Sequence, residues 1–363
     1  MAGRVTLHDV ARRANCSVAT VSRVLNNTGP ASAETRARVE RAVAELGFRF
    51  NEIGRSLQSK RSRTLGIMVP TLSNPVFAAI IEGIQAAARL SGYQILLACA
   101  YYDPEEESRA IDTLLAKQVD GLLLTLTNAD KSKEIALLHQ ADLPFVLIFN
   151  QPEEALPAVT VDNSTAARDV AKALLDAGHR KVAYVAGRFR SSDRSERRYQ
   201  GFTQAFAEAG APPPVLVEVD YDRVDHRAVL TGLFARQPDT TALFCSNDML
   251  ALAVMADLRR MGMSLPEDIS IVGFDGIAVS TLITPSLATV VTPCHAMGRR
   301  AASGLIDAIE NRRQPPAGTL LLPYQFRPGE SLMARPGRNR PTRSAPTRAK
   351  ASPLSVSRKE TER

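Results

Sequence analysis

The sequence contains no tryptophan and only four cysteines among 363 residues. Cys16, Cys99, Cys245 and Cys294 lie far apart and form no C-x-x-C pair, and the five histidines show neither H-x-x-x-H nor H-E-x-x-H spacing. We therefore expect no disulfide framework, no zinc site formed by neighbouring residues and no bound cofactor. No run approaches the roughly 18 apolar residues of a membrane span, and the N-terminus is not an apolar signal region. These absences predict a soluble, cytoplasmic protein without a membrane partner.

Nucleotide-binding and catalytic motifs are also missing. Neither G-x-G-x-x-G nor G-x-x-x-x-G-K-[ST] follows a predicted strand, which argues against a dinucleotide or NTP site. No Ser or Cys lies in a nucleophile-elbow context, and isolated Asp residues do not define an acid–base pair. We therefore expect that the protein is not an enzyme.

The net charge of +7 is unevenly distributed. Residues 1–63 carry +7, residues 64–333 carry −7, and residues 334–363 carry +7. Two basic ends around an acidic middle are the expected pattern of an anion-binding terminal module attached to an ordinary cytosolic domain. Nucleic acid is therefore the first candidate partner.

The first basic segment has the pattern of a helix-turn-helix. Residues 7–14 have apolar side chains at helical spacing, with Thr6 as a plausible N-cap, and Asn15 tolerates the left-handed backbone of a tight turn. Ser17 can cap a second helix over VATVSRVLN, and a third helix is expected over residues 33–46. In such a motif the first residues of the second helix meet base edges in the major groove.

These residues also carry a family resemblance. The run TLHDVARRANCSVATVSRVLN, followed by ASAETRARVERAVAELGF, resembles the head of the LacI/GalR family of bacterial transcription regulators, and the likeness continues to about residue 333. The resemblance implies a helix-turn-helix head on a core like that of the periplasmic binding proteins, and a dimer that binds operator DNA. It places DNA contacts at Thr6, Ser17, Val18, Ala19, Thr20, Ser22, Arg23 and Asn26.

Three of these residues differ in what they can recognise. Val18 and Ala19 lack hydrogen-bonding side chains, so they can select only by apolar contact with thymine methyl groups or by shape. Arg23 can make a bidentate contact with guanine. The alternative is a small surface bundle that binds no DNA.

Residues 50–63 resemble the hinge of the family, which becomes helical on the operator. Leu57 matches the leucine that the family inserts into the minor groove, and Asn51 and Gly54 are further expected DNA contacts. The chain departs from the family at Phe50, where proline is usual, and at Gly54, where alanine is usual. Glycine costs a helix about 0.5–1 kcal/mol relative to alanine, so we expect a hinge that folds reluctantly without DNA. A plain disordered linker is the alternative.

From Thr64 the chain alternates continuous apolar strands with amphipathic helices. One series runs from TLGIMVP to PFVLIFN, and a second ends with ISIVGFD. This pattern is typical of parallel sheets covered on both faces, so we expect an α/β core of two doubly wound lobes. The resemblance places residues 64–161 and 292–320 in an N-lobe, and residues 162–291 and 321–333 in a C-lobe.

Ligands of open parallel sheets bind beyond the carboxyl ends of the strands. The polar and aromatic residues expected there, as effector contacts, are Ser73, Asn74, Phe77, Tyr101, Asn150, Asp162, Arg198, Asn247 and Asp275. They come from both lobes, and their donors, carboxylates and aromatic faces suit hydroxyl-rich ligands. Among them, the resemblance singles out Arg198, Asn247 and Asp275, which stand where sugar-responsive members carry effector ligands.

Some nearby residues allow other interpretations. Asp248 precedes an apolar helix and is expected to be its N-cap. Asp162 could equally stabilise the crossover between the lobes. Tyr101 and its neighbour Tyr102 could pack rather than bind, as aromatic residues at strand ends often do.

The leading hypothesis is a repressor that binds a palindromic operator as a homodimer and responds to a sugar or sugar acid bound between the lobes. The segment from SNPVFA to DGLLLT looks similar to gluconate-type regulators, and a disaccharide such as sucrose is a further candidate. The alternatives are a sugar that acts as co-repressor, a solute-binding or sugar-sensing protein with the same core, and a sugar-modifying enzyme with an accessory DNA domain.

Residues 334–363 are rich in Pro, Arg, Ser and Thr, and we expect a disordered basic tail. The tail could add nonspecific attraction to DNA or serve only solubility. It carries no leucine heptads, so a dimer rather than a tetramer is expected.

Overall fold

The computed structural model describes residues 5–26, 29–48, 61–221 and 225–335. The first two of these segments hold three helices, α1 (Leu7–Ala14), α2 (Val18–Asn26) and α3 (Ala33–Leu46). Val10, Val21 and Val39, one from each helix, are fully buried against one another. The head therefore has a small apolar core of its own, and Ala19 and Arg23 on the opposite side of α2 are exposed.

Side-chain caps set the ends of the head helices. The Thr6 hydroxyl accepts from the Asp9 N–H at 3.4 Å, while the Thr6 N–H donates to Asp9 Oδ2 at 2.9 Å, which forms a capping box. Asn15 ends α1 with φ 50°, and the Thr20 N–H donates to Ser17 Oγ at 3.1 Å where α2 begins. These contacts confirm the predicted helix-turn-helix.

Strands and helices alternate after residue 63. The strands are β1 (Thr64–Val69), β2 (Gln94–Cys99), β3 (Gly121–Leu124), β4 (Phe145–Ile148), β5 (Ala158–Thr160), β6 (Val182–Gly187), β7 (Val215–Val219), β8 (Ala242–Cys245), β9 (Ser270–Asp275), β10 (Ala288–Val291), β11 (Thr319–Leu321) and β12 (Gln325–Arg327). The helices are α4 (Pro75–Leu90), α5 (Pro104–Ala116), α6 (Glu134–Gln140), α7 (Asn163–Asp176), α8 (Asp193–Glu208), α9 (Arg227–Arg236), α10 (Asp248–Arg260) and α11 (Cys294–Glu310).

The described strands form two sheets, one in each lobe. The N-lobe sheet has the order β11-β5-β4-β3-β1-β2 and is parallel throughout. The C-lobe sheet has the order β12-β10-β9-β8-β6-β7, and its edge strand β12 alone runs antiparallel. The prediction of two doubly wound α/β lobes is confirmed, with this one antiparallel edge as a difference.

Strand periodicity explains why both faces of each sheet are covered. In β1, Ile67 packs in one core cluster with Ile80 of α4, while the next residue, Met68, packs in another with Ile111 of α5. Successive side chains of a strand point to opposite faces. A strand without polar residues therefore needs a helix on each side, which the alternating sequence supplies.

The boundaries differ from the predicted ones in three places. Leu321 was expected to begin the second C-lobe segment, but it is the last residue of β11 and pairs with Thr160 of the N-lobe sheet. Residues 61–63, assigned to the hinge, are not helical, and the N–H groups of Ser62 and Arg63 donate to Asp120 of the N-lobe. Arg335, assigned to the tail, donates its N–H to the carbonyl of Ala177 at 2.8 Å. In each case a backbone contact extends a lobe beyond the expected limit.

Candidate functional site

The DNA-reading surface predicted for α2 lies opposite the buried core of the head. Ala19 and Arg23 are exposed, whereas Val18 and Ser22 are half-buried. The Arg23 stem runs beside Gly29, where a Cβ atom would come within 3.3 Å of Arg23 Cδ. This face of α2 thus presents one arginine side chain beside small and apolar side chains, a combination that can contact base edges in the major groove.

The hydroxyls expected to position phosphates are engaged in capping. The Thr6 hydroxyl donates to Asp9 Oδ2 at 2.7 Å, and the Ser17 and Thr20 hydroxyl oxygens lie 2.9 Å apart. They cluster at the N-terminal ends of α1 and α2, where free backbone N–H groups favour anions. Asn26 is the last residue of α2. Three further predicted contacts lie outside the described residues: Asn51, Gly54 and Leu57.

A cavity of about 600 Å³ opens between the two lobes at the carboxyl ends of their strands. Its N-lobe wall is formed by Thr71, Ser73, Asn74, Tyr101 and Tyr102, and its C-lobe wall by Arg188, Ser191, Val219, Asp220, Tyr221, His226, Asn247, Met249, Leu250 and Ala253. Four predicted effector residues line it directly: Ser73, Asn74, Tyr101 and Asn247. This cavity is called the cleft below.

Arg198 lies beneath the cleft on α8 and is only 6% exposed. Its Nε donates to Asn163 Oδ1 at 2.8 Å, Nη1 donates to the Ser246 carbonyl, and the guanidinium lies 3.5 Å from the centroid of the Phe274 ring. Burial lowers the pKa of Arg198, and nearby Asp275 acts against this shift. The side chain therefore joins α7, β8 and β9 under the cleft.

Asp275, at the end of β9, is buried beneath the cleft next to Asn74, which lines it. Its Oδ2 accepts from Asn74 Nδ2 at 3.5 Å across the lobes. Burial raises the pKa of Asp275 to about 6, and Arg198 opposes the rise. Asp275 has φ 124° and precedes Gly276 at φ 78°, both in the region that disfavours ordinary side chains. Such backbone conformations persist where the surroundings enforce them, often at functional sites.

The expectation for Asp248 is wrong. Asn247 caps α10, because its Oδ1 accepts from the Leu250 N–H at 2.8 Å. Asp248 is fully buried, and its carboxylate accepts from the N–H groups of Gly276 and Ile277 at 2.8 and 2.9 Å. Burial raises the pKa of Asp248 to about 7. Asp248 thus holds the loop that follows Asp275.

Five predicted effector residues do not line the cleft: Arg198 and Asp275 lie beneath it, and Phe77, Asn150 and Asp162 have other roles. Phe77 is buried and packs edge-on against Phe149, with ring centroids 5.6 Å apart. Asn150 is fully buried, and its Nδ2 donates to Asp193 Oδ2 of the other lobe at 2.7 Å. Asp162 caps α7, accepting from the Thr165 N–H at 3.0 Å. Other residues, which were not predicted from the sequence, line the cleft instead.

An aromatic pair closes one side of the cleft. Tyr102 and Tyr221 lie with ring centroids 4.9 Å apart. The Tyr221 hydroxyl lies 2.9 Å from Ser195 Oγ and 3.1 Å from Ser246 Oγ. Tyr221 lies two residues after β7, so it could have been predicted because ligands of parallel sheets bind beyond the carboxyl ends of the strands. Tyr102 was considered only as a neighbour of Tyr101.

Charged residues complete the C-lobe wall. Arg188, directly after β6, forms a bidentate ion pair with Asp220, directly after β7. His226 is 3% exposed, with Nδ1 3.5 Å from Asp257 Oδ2, and neither ring nitrogen has a hydrogen-bond partner among the described residues. The cleft therefore combines amide, hydroxyl, imidazole and guanidinium groups with aromatic faces, which suits a small polar ligand.

Two family models cover nearly all of the described chain. Residues 6–51 match the bacterial regulatory proteins of the lacI family, and residues 62–326 match the periplasmic binding proteins and sugar binding domain of the LacI family. The chain belongs to the LacI family. It is therefore a DNA-binding transcriptional regulator with a sugar-binding type of core, and not an enzyme.

Individual relatives agree with this assignment. The HTH-type transcriptional repressor CytR of Escherichia coli (strain K12) is 34% identical over 311 residues, 85% of this chain and 90% of CytR. The lac repressor dimer bound to operator and the anti-inducer ONPF superposes with TM-score 0.81 at 26% identity, covering 92% of this chain and all of that one. The complex of the regulator CelR with cellobiose gives TM-score 0.66 at 30% identity, covering 90% and 100%.

Within the part of the chain that the structure describes, no helix has the length and apolar character needed to cross a bilayer.

Proposed function

We propose that this LacI-family protein is a cytoplasmic repressor that binds a near-palindromic operator as a homodimer, and that a small sugar or sugar acid in the cleft controls this binding. The observation that carries the proposal is that both lobes contribute side chains to one cleft, on a chain whose head exposes Ala19 and Arg23. A ligand held between two lobes favours one of their relative orientations, which can alter how two heads reach DNA. The operator-bound lac repressor and the cellobiose-bound CelR support the two halves of the proposal.

On the DNA side, α2 enters the major groove with Val18, Ala19, Ser22 and Arg23 toward the bases. The phosphate contacts fall to Thr6, Ser17, Thr20 and Asn26, together with the amides at the helix starts. Residues 50–60 form the hinge, with Asn51, Gly54 and Leu57 at the minor groove in the centre of the site. One head reads one half-site, so two copies are needed for a palindrome.

On the effector side, hydroxyl groups of the ligand bond to Ser73, Asn74 and Asn247, and its apolar face lies against Tyr101 or Tyr102. His226, whose ring nitrogens have no hydrogen-bond partner among the described residues, contacts the same ligand. Arg198 and Asp275 lie beneath the cleft, and a small rotation of the lobes exposes both side chains to the ligand. A carboxylate on the ligand would be met by Arg198 or His226, so sugar acids are included.

A gel-shift titration tests the DNA half of the proposal. The full chain is titrated at physiological salt against a palindromic duplex selected from a random pool, a single half-site and a scrambled duplex. We expect a complex of two chains on the palindrome and much weaker binding to the other two. Equal binding to all three duplexes would overturn the proposal, because it would show that the head binds DNA only through nonspecific electrostatic attraction.

Calorimetry tests the effector half. The full chain is titrated with gluconate, ribose, cellobiose and sucrose, and the same sugars are added to the gel shift. A sugar that binds and weakens the complex is an inducer, and one that binds and strengthens it is a co-repressor. Binding that survives Asn247→Ser unchanged would show that the cleft is not the effector site.

A further inference from the structure

The cleft extends along the first turns of α10. Its inner end is at Asn247, the N-cap of α10, with Asn74 on the N-lobe wall. From there the cavity continues past Met249 to Ala253. Six residues of helix separate Asn247 from Ala253, which corresponds to about 9 Å along the helix axis. The cavity therefore has an outer end, at Ala253, beyond the part that Asn74 and Asn247 enclose.

His226 lies at this outer end. Its N–H donates to Asp257 Oδ2 at 2.7 Å, and Asp257 is one turn of α10 beyond Ala253. Residues four positions apart lie on the same face of a helix, so His226 and Ala253 border the same part of the cavity. Arg260 Nη1 donates to the other carboxylate oxygen of Asp257 at 2.9 Å. Asp257 is therefore fixed, and it positions the backbone of His226.

The imidazole ring of His226 has bonding capacity that the described residues do not use. The side chain is 3% exposed, and neither ring nitrogen has a hydrogen-bond partner among the described residues. Nδ1 lies 3.5 Å from Asp257 Oδ2, which is longer than an ordinary N–H···O bond. Buried polar groups of folded proteins are nearly always paired. A hydroxyl group suits this ring, because it can donate to one nitrogen or accept from the other.

Apolar side chains lie between the two ends of the cleft. Met249 is 40% exposed, and with Leu250 and Ala253 it gives α10 an apolar surface inside the cavity. The C–H face of a sugar ring fits such a surface, while its hydroxyl groups reach polar side chains at the edges. The cavity volume of about 600 Å³ is typical of sites for drug-sized ligands, which are larger than one monosaccharide. The outer end therefore has the space and the groups for a second ring.

Three arginines lie at the cleft or close beneath it, and each has a carboxylate nearby. They are Arg188, which pairs with Asp220, Arg194, which lies 3.2 Å from Asp193, and Arg198, whose charge Asp275 favours. A carboxylate on the ligand would add a negative charge to a site where these cations are already compensated. Burying a charge without a partner of its own is unfavourable. The charges of the cleft therefore favour a neutral ligand.

We propose that His226, Met249 and Ala253 form an outer subsite of the cleft, and that the effector is a neutral disaccharide with one ring between Asn74 and Asn247 and the other in this subsite. The inference rests on the proposed function and narrows its sugar or sugar acid to one class. His226 determines specificity, because its ring nitrogens bond to hydroxyl groups of the second ring. The C–H face of that ring packs on Met249 and Ala253.

Calorimetric titration of the full chain tests the outer subsite. Cellobiose, maltose, lactose and sucrose are each compared with their component monosaccharides, and gluconate serves as the sugar acid. We expect one disaccharide to bind at least about tenfold more tightly than either of its component rings and than gluconate. A monosaccharide or gluconate that binds as tightly as every disaccharide would overturn the subsite and leave the proposed function intact. Absence of binding by any sugar would overturn the subsite together with the effector half of the proposed function.

Variants decide whether the advantage of the disaccharide arises at the outer end. His226→Leu removes the ring nitrogens and Ala253→Leu fills the space, so each should remove most of the advantage. His226→Gln keeps a donor and an acceptor and should restore part of it. The matched control is His179→Gln, which changes a buried histidine that bonds to Thr241 and Met333 away from the cleft. It should keep the full advantage.

Equal losses of affinity for the disaccharide and for its component rings in both leucine variants would overturn the subsite. Melting temperatures show whether each variant is folded. If His226→Leu does not fold, Ala253→Leu decides the question alone, because it leaves the histidine in place. The gel shift described above reports separately on the DNA half of the proposed function.

Discussion

At the residue scale, Arg198 is the buried charge on which the cleft floor depends. Its guanidinium joins Asn163, Ser246 and Phe274, and it is the main positive charge near Asp275. A family pattern can mark Arg198 as important, but it cannot say that the side chain is 6% exposed. Because Arg198 is buried, it contributes to the stability of the fold as well as to the effector site.

Arg198→Ala should therefore destabilise the fold as well as remove the effector response. The loss of Arg198 leaves Asn163 Oδ1 and the Ser246 carbonyl buried without their donor, which costs about 1–3 kcal/mol for each unsatisfied group. Urea unfolding of the variant measures this loss. The matched control is Arg168→Ala, which removes an arginine that bridges Glu208 on the surface and should cost less than about 1 kcal/mol. Equal losses would contradict a buried charge role for Arg198.

Two of the buried carboxylates, Asp275 and Asp248, contribute to the way stability depends on pH. Burial raises the pKa of Asp275 to about 6 and that of Asp248 to about 7, above the value of about 3.9 expected when unfolded. Between pH 4 and pH 7 the folded state therefore binds more protons than the unfolded state, so the free energy of unfolding falls as pH rises. Each group contributes at most about 1.4 kcal/mol per pH unit.

Urea unfolding at pH 5 and pH 8 measures this dependence. Wild type should be less stable at pH 8, and Asp275→Asn should show a smaller difference between the two values. An Asp275→Asn difference as large as that of wild type would show that Asp275 does not contribute.

Residue roles were predictable only where they depend on neighbours in sequence. Thr6 and Asn15 were assigned correctly, because a cap or a turn involves residues three or four positions away. Asp248 was misassigned, because its partners Gly276 and Ile277 are nearly thirty residues downstream. Phe77 was misassigned as well, since helical spacing does not distinguish a core face from the wall of a cleft.

At the element scale, long amphipathic helices and buried strands were predicted well. β1, β6 and β9 are six-residue, largely apolar strands, and the apolar helix expected beside Asp248 is α10, although Asn247 is its cap. Short elements were not predicted: β5, β11 and β12 have three residues each, which is too few for a periodic pattern. The same limit explains the misplaced boundary at Leu321.

The recognition helix α2 gives a prediction at this scale. Arg23→Ala should lose about 1–3 kcal/mol of discrimination at one base pair of each half-site, because a bidentate guanine contact is lost. Competition among single-base operator variants locates that base pair. Arg41→Ala removes an exposed arginine of α3 and serves as the control, so it should not change which base is preferred. Uniform weakening over all operator variants by Arg23→Ala would show a phosphate contact instead.

At the scale of the whole molecule, the net charge of +7 separates into parts with different roles. The basic head carries the groove-reading helix, and the acidic core carries the cleft. Residues 336–363 carry eight basic and two acidic side chains without a recognition motif. Charge alone therefore indicated a nucleic-acid partner, while only the head sequence indicated specific recognition.

Deleting residues 336–363 should reduce the salt dependence of nonspecific DNA binding and leave operator choice unchanged. Each lost phosphate contact lowers the slope of log K against log salt by about 0.9. The deletion keeps Arg335, whose N–H bonds to Ala177 of the C-lobe. Anisotropy titrations of a scrambled duplex over a range of salt measure the slope, and an unchanged slope would leave the tail with no role in DNA binding.

In the proposed mechanism, occupancy of the cleft sets the affinity of the heads for one DNA sequence. The most direct measurement is operator affinity by fluorescence anisotropy, with and without the sugar that binds in calorimetry, for wild type and for Asn247→Ser. Serine keeps the cap of α10 but removes the amide from the cleft. We predict that the sugar changes operator affinity of wild type at least about fivefold and that of the variant little. Equal operator affinity of wild type with and without a bound sugar would contradict the account.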